Sequence, residues 1–177
     1  MSDAAGHRMP WALIVGAIVC LDQVTKALVQ QSMAVHETRT IVEGFLSLTH
    51  VRNRGAAFGL LSDADLPFQA AVFSIISVAA LVAIAVYAFR LPPKSALPRA
   101  GLALILAGAI GNLIDRALLG YVIDFVDVYW RSHHWPAFNV ADSAISVGVT
   151  LLLLDSLFSP QQAKTGLQDA PSHGRSE

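Results

Sequence analysis

Long apolar blocks alternate with short polar segments along this chain. Leu66 to Phe89 contains no charged residue, and Trp11 to Val29, Ala100 to Leu119 and Val140 to Phe158 are interrupted by ionisable residues only near their ends. About 20 consecutive apolar residues cross a bilayer as a helix, so the four blocks predict four spans. Between the first and second, Thr38 to Val42 and Phe45 to Val51 mix β-branched, aromatic and polar residues, as short strands do. The pattern predicts an α-helical membrane protein with four transmembrane helices and a small extracytoplasmic β-sheet between helices one and two. Leu91-Pro92-Pro93 ends the second span, because proline cannot continue a helix. Residues 120–139 read as a loop. Residues 1–158 read as a single membrane-embedded domain, and the polar stretch 159–177 as a disordered tail.

Composition agrees with this reading. Charged residues make up 14% of the chain and hydrophobic ones 54%, against about 25% charged in soluble domains, which excludes a water-soluble globule. A net charge of −1 provides no basic field for nucleic acid. Cys20, the single cysteine, lies inside the first apolar block and reads as a small buried apolar residue. The same block lacks a small-x-small cleavage site, and its apolar pattern resumes past Lys26, so it reads as a retained anchor.

Lysine and arginine in short loops mark the cytoplasmic side. Arg90, Lys94 and Arg99 occupy the connection between spans two and three with no acid among them, so that connection faces the cytoplasm and both termini lie inside. Asp22 and Lys26, then Asn112, Asp115 and Arg116, then Asp124 and Asp142 fall at the opposite, outer side. A charge in the hydrocarbon region is costly and marks function by default.

For several of these residues two readings stand side by side. Asp22 and Lys26, at i and i+4, form either a structural ion pair or part of a site. Asn139 and Asp142 are either a helix cap with its first-turn acid or functional groups. Arg116 contacts either substrate or an acid such as Asp115. Asp124 and Asp127 are either solvated loop acids or, for Asp124, half of a catalytic pair. Two adjacent aspartates ionise unequally, so that one holds a proton while the other accepts one from water. No His-Glu-x-x-His or Gly-x-Ser-x-Gly occurs, and the adjacent His133 and His134 read as loop histidines, so neither a metal nor a nucleophilic hydrolase is expected. A proton-relaying transporter or an assembly subunit remains the rival class. A transporter would line both halves of the membrane with acids, and these, Asp155 apart, gather on one side.

Several strings together resemble a known family. Asn53-Arg54-Gly55-Ala56-Ala57-Phe58, Gly111-Asn112-Leu113-Ile114-Asp115-Arg116, Val122-Ile123-Asp124-Phe125 and Phe138-Asn139-Val140-Ala141-Asp142-Ser143, preceded by Asp22 to Lys26, look like the ordered motifs of bacterial lipoprotein signal peptidase, also called signal peptidase II. The resemblance spans about residues 11 to 158. It implies an inner-membrane aspartyl endopeptidase, its active site at the periplasmic face, that cuts diacylglyceryl-modified prolipoproteins before the lipidated cysteine. It further implies Asp124 and Asp142 as the catalytic dyad, with Asn53, Gly55, Asn112, Arg116 and Asn139 shaping the substrate site and Asp22 supporting it. No cofactor is implied. The expected partners are prolipoprotein substrates and membrane lipids, and the expected state is a monomer.

Overall fold

The computed structural model describes residues 9–54 and 95–158, with single helical positions between 72 and 87. The predicted second span, those positions apart, and the tail 159–177 lie outside the described residues, as do Gly55 to Phe58. Three described helices are long and apolar enough to cross a membrane. These are α1 (Met9–Ser32), α2 (Ala96–Leu119) and α3 (Val140–Phe158).

Leu13, Ile14, Leu21, Val24 and Leu28 of α1 and Val147, Leu153 and Leu157 of α3 are exposed, as expected of faces that meet lipid tails. Cys20 is exposed on α1, contrary to the buried position expected. Lipid is as apolar as a helix interface, so nothing drives a small apolar side chain inward. Small residues do the packing between α2 and α3. A Cβ on Gly108 would run into the backbone carbonyl of Ala141 and lie 2.7 Å from Ile145 Cγ1, so the glycine permits a backbone-to-backbone approach.

Among the described residues, four strands form one antiparallel sheet in the order β1 (Thr38–Val42), β2 (Leu46–Asn53), β3 (Val122–Trp130) and β4 (His133–His134). The first two occupy the segment where strands were expected. The other two come from residues 120–139, expected to be loop, so the sheet is shared between the segments following α1 and α2. Residues 122–130 are β-branched or aromatic apart from Asp124 and Asp127, and they pair with β2 as strand.

Register decides what meets at the helix ends. Asn53 pairs with Val122 and Val51 with Asp124, which brings the end of β2 alongside the start of β3. The β2–β3 ladder is irregular between Leu48 and Val51. At the matching point of β3 the amides of Phe125 and Val126 both donate to Phe138 O, at 3.0 and 2.8 Å, and Phe138 N donates back to Val126 O at 3.1 Å. The segment entering α3 is thereby stitched to β3 immediately after Asp124. Beneath it, Val29 in the last turn of α1 and Met33 just past it pack with Ile123 and Phe125, flanked by Leu48, Tyr121, Val126 and Val140. His50, buried in β2, has Nδ1 3.0 Å from Met33 O. A carbonyl only accepts, so that nitrogen donates, tying β2 to the end of α1.

Candidate active site

Helix ends create the site. Asn139 precedes the first turn of α3, and its Oδ1 accepts from Asp142 N at 2.9 Å while Asp142 Oδ2 accepts from Asn139 N at 3.3 Å. This reciprocal pair is a capping box with aspartate in the usual glutamate place. The cap expected from sequence therefore exists, and the same two residues also reach other elements. Asn139 Nδ2 donates to Asp124 Oδ1 at 2.8 Å, to Ile123 O at 3.2 Å and to Asn112 Oδ1 at 3.2 Å. Asn112 Nδ2, from α2, donates to Asp142 Oδ1 at 2.8 Å. Asn53 Nδ2, from β2, donates to Asp124 Oδ2 at 3.0 Å.

Three asparagine amides from three elements thus aim their donors at two carboxylates. Asp124 is 2% exposed and Asp142 half-buried. Burial, then the neighbouring charge of Asp142, pushes the Asp124 carboxyl up to about 7, against the pull of Asn53, Lys26 and Asn139. That charge effect places Asp142 within electrostatic reach of Asp124. The pair can hold one proton and leave one carboxylate free to accept another. Asp124 is accordingly no solvated loop acid. Asp127, buried in β3, is none either: its carboxylate meets His134 Nδ1 at 2.9 Å, and the His134 ring stacks on Tyr129. His133 and His134 form β4 rather than a loop.

Below the pair lies a charged cluster between α1 and α2. Lys26 Nζ sits 2.8 Å from Asp22 Oδ2, 2.8 Å from Asp115 Oδ2 and 2.9 Å from Asn112 Oδ1. The ion pair of the structural reading is present, and Lys26 also touches the asparagine that faces Asp142. Asp115 pairs with Lys26 across the helix interface. Arg116 is half-buried, donates to Asn112 O at 3.4 Å, and lies within electrostatic reach of Asp142, Asp124 and Asp115.

Asp22, Asn53, Asn112, Arg116, Asp124, Asn139 and Asp142 are brought together. Gly55 lies outside the described residues. Gln23 escaped the sequence reading, yet its Nε2 is 2.9 Å from Asp115 Oδ1, 3.1 Å from Gly111 O and 3.2 Å from Asp22 Oδ2. The available signal was its polarity inside an apolar block, next to Asp22.

Helices long and apolar enough to span a membrane, with a sheet at their ends that brings buried Asp124 alongside half-buried Asp142, fit the class of membrane proteins that carry a polar site at one end of their helices. The family model described as Signal peptidase (SPase) II matches residues 14–158. Lipoprotein signal peptidase of Geobacter sulfurreducens is 51% identical over 151 residues, covering 85% of this chain and 92% of that protein, and the protein of the same name from Teredinibacter turnerae is 39% identical over 89% of this chain and 93% of its own. A solved structure described as a bacterial membrane enzyme, determined in meso at 2.3 Å resolution, superimposes with a TM-score of 0.74 at 33% identity, covering 92% of this chain and 94% of that one. A second, at 1.9 Å resolution, gives 0.72 at 33% identity over 85% and 94%. The chain belongs to the signal peptidase II family. Membership makes it a multi-pass membrane protease that processes lipoprotein signal peptides.

Proposed function

We propose that the chain is an intramembrane aspartyl endopeptidase that cuts diacylglyceryl-modified prolipoproteins on the N-terminal side of the lipidated cysteine. The observation that supports this most directly is the convergence of Asp124 and Asp142 on one set of asparagine donors at a shared end of the helices. A substrate whose acyl chains remain in the bilayer presents its scissile bond at a shallow, nearly constant depth. Carboxylates placed where the helices give way to the sheet match that depth.

In this reaction a water held between the two acids loses a proton to the ionised carboxylate as its oxygen adds to the carbonyl carbon before the cysteine. The protonated partner then gives its proton to the departing amine as the carbon–nitrogen bond breaks. No cofactor enters the balance. Asn112 and Asn139 hold the carboxylates in place, Asn53 steadies Asp124, and Arg116 adds positive charge where the oxyanion develops. Gly55 and its small neighbours belong, in this reading, to the surface that admits the substrate.

The polar end faces the periplasm, both termini face the cytoplasm, residues 1–158 form the single peptidase domain, and a monomer suffices for activity. The test is purified protein incubated with a diacylated precursor and its non-lipidated counterpart. Cleavage of the first alone, lost on Asp124→Asn or Asp142→Asn in protein that stays folded, is the expected result. Substantial turnover by either variant refutes the dyad, and equal cutting of both precursors refutes the substrate class.

A further inference from the structure

Each proposed catalytic aspartate is preceded by a residue whose backbone N–H is held by another, deeper carboxylate. Ile123 N donates to Asp115 Oδ2 at 3.2 Å, and Ala141 N donates to Asp22 Oδ1 at 2.9 Å. Ile123 immediately precedes Asp124, and Ala141 immediately precedes Asp142. The two holding carboxylates come from different helices, α2 and α1, and meet at Lys26, whose Nζ is 2.8 Å from each. An ammonium has three N–H donors, and the third goes to Asn112 Oδ1 at 2.9 Å. Lys26, Asp22 and Asp115 are 2%, 0% and 2% exposed, so water does not compete for these bonds. The cluster has little room to shift, since a Cβ on Gly111 would lie 2.5 Å from Asp22 Oδ2.

We propose that Lys26 and Asp115, together with Asp22, are positioning residues for the dyad. Lys26 gathers two carboxylates, each of which grips the amide just before one catalytic aspartate, and so sets the gap between Asp124 and Asp142. The inference rests on the dyad reading above. An ion pair placed only to make a charged span tolerable needs no bond to either amide. Here both amides are gripped, one by each carboxylate, and the remaining ammonium proton points at the asparagine that faces Asp142. An acid at position 115 thereby reaches the reacting groups through the chain, without touching substrate.

The prediction separates geometry from fold. Asp115→Asn keeps an oxygen for Ile123 N–H and for Lys26, whereas Asp115→Ala removes it. A displacement on the order of 1 Å costs about a hundredfold in rate. Asp115→Ala is therefore expected to lower kcat about a hundredfold per folded molecule, Asp115→Asn no more than about tenfold, and both to leave KM for the diacylated precursor within about threefold. A purely structural role would lower the yield of folded protein and the melting temperature while leaving kcat per folded molecule unchanged, and that result overturns the inference. So does an equal kcat for the Asn and Ala variants, or a loss confined to KM. Should Asp115→Ala not be recovered folded, the pair Lys26→Met with Asp115→Asn decides, because it removes opposite charges together and keeps the oxygen. A lowered kcat at constant KM supports the inference, and wild-type kcat overturns it. Wild-type protein and Asp124→Asn are assayed alongside. If wild type cleaves the diacylated precursor and Asp124→Asn does not, failure at position 115 counts against positioning alone. If Asp124→Asn still cleaves, it is the dyad that fails.

Discussion

Replacing Asp124 by asparagine should make the protein inactive and, at neutral pH, relatively more stable. The folded protein holds the Asp124 carboxyl at about 7 against an ordinary value of 3.8, through burial first and the Asp142 charge second. Between those two values the folded chain binds more protons at this site than the unfolded one, so stability falls as pH rises through the window and levels off above 7. Integrating the difference from pH 5 to pH 7 gives a loss of about 2 kcal/mol for the wild-type chain. The asparagine of the variant does not titrate and loses nothing over that range. Its amide offers one oxygen and one NH2 where Asn53 and Asn139 both donate, whereas the protonated carboxyl offers a carbonyl oxygen and a hydroxyl, so a fixed difference between the two neutral side chains remains. That offset, about 1 kcal/mol, is independent of pH. The slope therefore tests the argument, more than the absolute difference.

Thermal unfolding of both proteins in the same detergent at pH 5, 6, 7 and 8 measures it. At this chain length about 2 kcal/mol corresponds to a shift on the order of 5 °C. The melting temperature of Asp124→Asn minus that of wild type should climb by that amount from pH 5 to pH 7 and then level off. A difference that is flat with pH, or that climbs toward low pH, refutes the assignment of a buried, elevated carboxyl at position 124.

Gly108→Ala forces a methyl group against the carbonyl of Ala141 in the first turn of α3; overpacking of this kind costs about 1 to 3 kcal/mol, seen as a lowered melting temperature. Gly16→Ala is the control, since nothing lies within 4 Å of its Cβ position, and it should leave melting unchanged or slightly raised. Lys94→Cys, in a Cys20→Ser background, should react with an impermeant maleimide only from the cytoplasmic side; labelling from outside would invert the proposed topology.

Three of the four expected spans and the cap of α3 were legible in the sequence because such features are local. An apolar run long enough to cross a bilayer marks a helix wherever the helix then packs, and Val140 to Phe158 is a helix over those very residues. The capping box needs only Asn139 and Asp142, three positions apart. The strands at Thr38–Val42 and Leu46–Asn53 were equally readable from β-branched and aromatic residues.

What packing alone decided involves partners far apart along the chain. Residues 122–130 became strand because β2 lay beside them, and without that partner the stretch read as loop. Asp115 paired with Lys26 of another helix, although Arg116 was its neighbour in sequence. Asp22 reached the amide of Ala141, 119 residues away, and Gln23 entered the cluster through a bond to Gly111 of α2. Residue spacing reveals which groups share a helix face. Which face meets which, and therefore which buried charge finds which partner, is settled only when the helices close together and remove the water that would otherwise solvate them all.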